Sequence, residues 1–229
     1  MRSGIPPLDE LLGGLLPGRA YVVTGASGSG KSIACLQFLS SELERGARAA
    51  LLTETEPHDV LDQAAFLGLR LEQSLRSGQF ALLTYQTGFA RDMASAPSSA
   101  LALDELRREI GPVPPQRLVI DSIAPFLDVR SSSGALIGAL VQWAEALGAT
   151  TFVTLPGELG GEFDLRLDPL IQRAHGIVRF AVSGTRRQIE IIKTRFEVPS
   201  TAPVAFKIER GLGITRVDPS IAVLRAKHA

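Results

Sequence analysis

Residues Gly25 to Ser32 read G-A-S-G-S-G-K-S and fill every defined position of a G-x-x-x-x-G-K-S/T phosphate-binding loop. The motif constrains the fold because it works only between an incoming strand and the N-terminus of a helix. Both flanks fit. Ala20–Thr24 is short, apolar and β-prone, and Ile33, Leu36, Leu39 and Leu43 space out a helical stripe behind the loop. Glycines let successive backbone N–H groups curl toward a phosphate, and the helix terminus adds positive potential. The phosphate-contacting stretch is read as Ser27, Gly28, Ser29, Gly30, Lys31, Ser32 and Ile33. Lys31 is placed to reach the β- and γ-phosphates, and the Ser32 hydroxyl to ligate Mg²⁺.

The rest of the chain alternates in the same way. Candidate strands Ala20–Thr24, Ala49–Thr53, Phe80–Thr84, Arg117–Ile120 and Thr150–Leu155 are separated by helical stretches at Lys31–Arg45, His58–Phe66, Ala100–Ile110 and Ala135–Leu147. This predicts an α/β fold with a mainly parallel sheet covered on both faces. The last third changes character: Gly176–Val182, Arg187–Ile192, Val204–Glu209 and Gly213–Val217 read as an antiparallel extension. Gln86–Ser99 reads as a surface excursion, and the serines before Gly134 as a helix cap. With 229 residues, no internal repeat and no linker, one domain with a short tail from about residue 218 is expected.

Composition excludes several classes. Lys+Arg and Asp+Glu both number 24, so net charge recruits neither nucleic acid nor an anionic membrane. Cys35 is the single cysteine, which rules out an intramolecular disulfide and a multi-cysteine metal site. His58, His175 and His228 have no metal-ligand spacing, and Trp143 and Phe126 read as core or interface. No apolar run approaches a membrane span or a signal peptide, so a cytoplasmic location is expected. The sequence has no asparagine, which removes the N-K-x-D guanine reader.

Two strand ends carry carboxylates. Arg117-Leu118-Val119-Ile120-Asp121-Ser122 ends in Asp121, where a parallel strand meets its ligand crevice. That is the Walker B position, suited to holding Mg²⁺ water. Leu51-Leu52-Thr53-Glu54-Thr55-Glu56-Pro57 offers Glu54 and Glu56; Pro57 pushes Glu56 out of the strand, leaving Glu54 to position the attacking water. Strand alternation puts Lys193 and Arg195 on one side of R-Q-I-E-I-I-K-T-R. Two such cations suit either a polyphosphate or the solvated face of an edge strand.

Taken together, these residues resemble a KaiC-type ATPase of the RecA superfamily. The opening G-I-P-P-L-D-E-L-L-G-G-L-L-P-G-R is similar to that family's lead-in at Leu8, Asp9, Leu12, Gly13, Gly14, Leu16 and Pro17. The phosphate loop, the strand ending at Glu54, R-L-V-I-D-S, and the K-x-R strand with its following F-x-I occur in family order over roughly residues 4 to 215. The resemblance implies a RecA-like core assembled as a hexameric ring, with ATP and Mg²⁺ at subunit interfaces. It also implies that Lys193 and Arg195 act on a neighbour's γ-phosphate, and that Glu54 is the catalytic carboxylate.

Departures are informative. The family often has adjacent glutamates where this chain has Glu54-Thr55, which points to slow or differently controlled hydrolysis. The clock proteins' phosphorylated Ser-Thr pair falls on Ile171 and Gln172, so autokinase activity is not expected, and those proteins carry two such domains where this chain has one. The leading expectation is an ATP-hydrolysing oligomeric switch acting on a protein partner. The alternatives are an ATP-binding regulator with little hydrolysis and a recombinase-like DNA-dependent ATPase. Against DNA, the loops near Asp128–Gly134 and Pro156–Asp168 offer Arg130 and Arg166, the latter among Glu158, Glu162, Asp164 and Asp168.

Overall fold

The expected strands assemble into one nine-stranded sheet of order β3-β2-β4-β5-β1-β6-β7-β8-β9. The computed structural model describes residues 1–85, 99–127, 133–157, 167–195 and 202–217. The strands are β1 (Ala20–Thr24), β2 (Ala49–Thr53), β3 (Phe80–Thr84), β4 (Arg117–Asp121), β5 (Thr150–Thr154), β6 (Gly176–Ser183), β7 (Arg186–Thr194), β8 (Val204–Glu209) and β9 (Gly213–Arg216). Strands β1 to β6 pair in parallel. Antiparallel pairing begins only between β6 and β7 and continues to β9. The strand at Gly176 therefore belongs to the parallel set, a correction to the reading that put it in the antiparallel extension. Its apolar start, Gly176-Ile177-Val178, is buried against β1 like the other parallel strands.

Alternation along the strands separates two cores. Tyr21, Val23, Leu51, Val119, Phe152 and Val178 face one side, with helices α1 (Pro6–Leu12), α2 (Lys31–Leu43), α3 (Pro57–Phe66) and α4 (Leu71–Arg76) contributing to that core. Val22, Leu52, Leu118, Ile120, Val153 and Ile177 face the other, with α5 (Ser99–Ile110), α6 (Ala124–Leu127), α7 (Ser133–Ala146) and α8 (Asp168–Arg173). Helix α5 buries Leu103, Leu106 and Ile110 and exposes Asp104, Arg107 and Arg108, a stripe one helical face wide. Helices α1, α4, α6 and α8 add to the four helical stretches that the sequence predicts. They are four to seven residues long, too short to show a period. The excursion at 86–98 and the tail from 218 lie outside the described residues.

At the N-terminal edge of the sheet, Arg117 is fully buried at the start of β4. Its guanidinium donates to the carbonyls of Arg2 (2.6 Å), Ser3 (3.0 Å) and Phe38, and to Ser41 Oγ. It also pairs with Glu42 at 2.8 Å and lies 4.4 Å above the Phe38 ring, which stacks on Phe152. Burial pulls the guanidinium down to about 10, while the Glu42 carboxylate opposes the shift. One cation thus ties the N-terminal segment and the C-terminal half of α2 to β4. Replacing it removes the guanidinium from three carbonyls and leaves Glu42 to the exposed Arg45 at 3.4 Å, so Arg117→Met is expected to destabilise the protein by about 3 kcal/mol. Urea unfolding should show a lower midpoint at an unchanged m-value; a midpoint equal to wild type would contradict this role.

Candidate nucleotide site at the C-terminal edge of the sheet

Parallel register brings four strand ends to one edge. Thr53 lies level with Asp121, and Val23 level with Thr154. Strands β4 and β5 insert between β2 and β1, so Glu54, Asp121, Thr154 and the glycine loop follow one another across the sheet. This is the crevice side that a parallel α/β sheet offers to ligands.

The loop is clamped from below. Gly25 N–H and the Thr24 hydroxyl both donate to Gly157 O, at 3.1 and 2.7 Å, and Leu155 N–H donates to Val23 O at 2.9 Å. Gly25 has φ 145°, and a Cβ there would fall 2.2 Å from Phe180 O. Gly30, at φ 107°, is the N-cap of α2, with Ile208 and Phe206 packed on its Cα side. That cap has no side-chain hydrogen bond, so the first-turn donors of α2 take no partner from the capping side chain. Lys31 Nζ donates to Gly25 O (2.6 Å) and Ala26 O (3.0 Å), lying back across the loop. Ser27, Gly28 and Ser32 are exposed and Ile33 is half-buried, whereas Ser29 is buried with its hydroxyl lacking a hydrogen-bond partner among the described residues. Cys35 is buried one turn into α2; burial and then the Asp121 charge push its thiol up, with Lys31 opposing.

Asp121 is half-exposed, and its Oδ1 accepts the Thr154 hydroxyl at 2.6 Å. Glu54 is exposed just beyond β2, where Thr55 N–H turns back to Thr53 Oγ1 at 3.1 Å. Glu56 is the N-cap residue of α3, outside the strand, as Pro57 dictates.

Lys193 and Arg195 are not brought to this edge. Thr194 pairs with Gly176, and Gly176 pairs with Tyr21, so both cations sit level with the start of β1. The loop begins four residues later, about 13 Å of strand away. Both do share one side. Lys193 Nζ donates to Ile171 O at 2.7 Å, and Arg195 donates to Ala174 O at 3.4 Å and to Gln172 O, so the pair caps the C-terminus of α8. Burial, then the Arg195 charge, lowers the Lys193 pKa. A bulge aims them. Ile191 lies opposite Val178 and Lys193 opposite Ile177, leaving Ile192 opposite no residue of β6. Strict alternation would put Lys193 in phase with the buried Ile189 and Ile191; the extra residue moves it to the α8 face.

Against this geometry stand the comparisons with known proteins. The profile of a family described as "ATPase: KaiC" matches residues 1–220. This chain belongs to the KaiC ATPase family. A UPF0273 protein of Pyrobaculum aerophilum is 32% identical over 164 residues, covering 66% of this chain and 58% of its own length. The circadian clock oscillator protein KaiC of a Nostoc species is 26% identical over 206 residues, covering 85% of this chain and 40% of its own. The chain thus spans less than two-thirds of these curated relatives. The solved structure of a KaiC-like protein from Pyrococcus horikoshii has the same fold. Its TM-score is 0.74 at 24% identity, with 95% of this chain and 98% of that one covered.

Within this KaiC-family fold, sequence reasoning missed Thr154, Gly157 and Tyr85. Thr154 had the signal that singled out Asp121, a polar residue closing a buried apolar strand. Tyr85 is buried just after β3; its N–H donates to Thr53 O at 3.0 Å and its hydroxyl to Ser122 O. Nothing in the local sequence announces that reach. The arginines and acids of the two loops weighed for DNA, Arg130, Arg166, Glu158, Glu162 and Asp164, lie outside the described residues.

The glycines of the loop differ in a testable way. Gly28 has φ 75°, but none of the described residues comes within 4 Å of where a Cβ would stand. Gly28→Ala is expected to cost about 1 kcal/mol of stability from backbone strain alone. Gly25→Ala adds a collision with β6 and should cost about 3 kcal/mol. Equal costs in urea unfolding would contradict the clamped-loop geometry.

Proposed function

We propose that this chain binds ATP on the Gly25–Ser32 loop and hydrolyses it slowly, as one copy in a homo-oligomeric ring. The carrying observation is the gathering of the loop, Asp121 and Glu54 at one sheet edge, with Lys193 and Arg195 aimed away at the other. Membership of an ATPase family supports the reaction. On this reading the loop N–H groups and the α2 terminus hold the phosphates, and Lys31 swings from its two loop carbonyls to the β- and γ-phosphates.

The donor set fits Mg²⁺: an exposed serine hydroxyl at Ser32 and a carboxylate at Asp121 are hard oxygen ligands beside the phosphate cradle. Held by Ser32 and Asp121, Mg²⁺ would supply neutralisation of the phosphate charge. Glu54 holds the attacking water in line and accepts its proton. Lys193 and Arg195 cannot reach their own loop across the sheet, which supports their acting on the γ-phosphate of the next copy. Their present acceptors, the carbonyls ending α8, keep them extended together.

The clock relatives support a signalling role, in which nucleotide state alters a surface read by a protein partner. A second reading, occupancy of the site with little turnover, is favoured by Thr55 standing where a second glutamate is common.

Glu54→Gln separates the two. Under the hydrolytic reading, phosphate release falls about 10²-fold or more while ATP binding persists. No difference from wild type in single-turnover hydrolysis would remove Glu54 from the chemistry. Lys31→Ala is expected to abolish ATP binding itself, and retained affinity would contradict the placement of the nucleotide. Mass measured with and without ATP and Mg²⁺ should show a closed oligomer; a monomer under every condition contradicts the shared site.

A further inference from the structure

The Asp121 carboxylate and the carbonyl of Ser122 after it each accept a hydroxyl that no part of the proposed chemistry uses. Thr154 is fully buried at the end of β5, the strand between those of Asp121 and the loop. Its Oγ1 donates to Asp121 Oδ1 at 2.6 Å, and its carbonyl accepts Ile123 N–H at 3.0 Å. One residue therefore fixes both the carboxylate and the turn that follows it.

Tyr85 approaches from the far side. It follows β3, while its hydroxyl donates to Ser122 O beyond β4, and β2 lies between them. The phenol therefore spans the end of the strand that carries Glu54. Its ring packs edge-on against Phe126, with centroids 5.8 Å apart. Burial first, then the charges of Glu54 and Asp121, raise its pKa, so it stays a neutral donor.

We propose that Thr154 and Tyr85 are positioning residues for the metal-side carboxylate: Thr154 orients the Asp121 side chain, and Tyr85 anchors the main chain just beyond it. The proposal rests on the reading of this edge as a Mg²⁺–ATP site. With Oδ1 engaged by the threonine hydroxyl, Oδ2 would serve the metal. A ligating carboxylate that turns freely loses affinity for its metal, and loss of such outer partners costs about 10–100-fold. The hydrogen bonds also leave Asp121 less freedom to swing toward Lys31, the cation of its own site.

The test uses the full chain and a fluorescent anthraniloyl-ATP analogue titrated with MgCl₂. Thr154→Val keeps the side-chain shape and removes the donor; Tyr85→Phe does the same for the phenol. Thr154→Val is expected to raise the half-saturating Mg²⁺ about 10-fold, and Tyr85→Phe to raise it several-fold. Affinity for the metal-free analogue should stay at the wild-type value in both. Thr154→Ser, which restores the hydroxyl, should return the Mg²⁺ dependence toward wild type, and this rescue distinguishes donation from packing. Asp121→Asn is the control for the site itself. If Asp121→Asn weakens the Mg²⁺ response while Thr154→Val and Tyr85→Phe match wild type, the positioning roles are overturned and the site stands. If wild type shows no Mg²⁺-dependent binding of the analogue, the site reading and the positioning roles fall together. A lower urea midpoint with an unmoved Mg²⁺ dependence would make both residues structural only, which also overturns the proposal.

Discussion

Parallel register at the C-terminal edge is the constraint on which the candidate site depends. Thr53 stands beside Asp121 and Thr154 beside Val23 because β2, β4, β5 and β1 pair without a slip. A shift of one residue would exchange the two cores and turn each strand-end side chain to the opposite face. The end of β5 makes this register matter most. From Thr154 to Gly157 it bonds sideways to the loop strand, to Asp121 and to the turn after β4. The glycine loop is then closed by contact, with Gly25 against β6 and Gly30 against β8. The antiparallel half of the sheet thus packs against the parallel half at the loop itself.

The opposite edge is built by different means. Arg117 replaces apolar packing with one buried cation answered by carbonyls, a hydroxyl, a carboxylate and an aromatic face. Breaking such a set costs much more than a surface ion pair contributes. On the same edge the bulge at Ile192 turns Lys193 and Arg195 onto the α8 face. A strand that must bury Ile189 and Ile191 and still present two cations needs a break in its alternation, and the bulge supplies it.

The fold was largely legible because the parallel strands are near-continuous apolar runs and the glycine loop anchors their order. Strand ends agreed to within one residue for the five expected parallel strands, with Asp121 inside β4 and Leu155 outside β5. The parallel pairing of Gly176–Ser183 was not legible, because strand direction depends on partners far away in sequence. Short helices such as Pro6–Leu12 lack the length to show a period, although Gly13, at φ 65°, marks a C-terminus. Within the site, Glu54 and Asp121 announced themselves as carboxylates closing apolar strands. Thr154 closes its apolar strand in the same way, but a buried hydroxyl has meaning only once its acceptor is in place, and Tyr85 carries no such local sign. The doublet Ile191-Ile192 did carry the bulge as a break in alternation, which the reading of Lys193 and Arg195 as strand neighbours passed over.

The central claim is that the two halves of the site lie on different copies of the chain. Mixing two variants, each inactive alone, tests it most directly. Lys31→Ala loses the loop half and Arg195→Ala the opposite-edge half, so a mixed ring regains interfaces with both halves intact. The account predicts recovered ATP hydrolysis on mixing, absent from either variant alone at the same total concentration. Hydrolysis by Arg195→Ala alone at the wild-type rate, or no recovery in a mixture shown by mass to co-assemble, would contradict it.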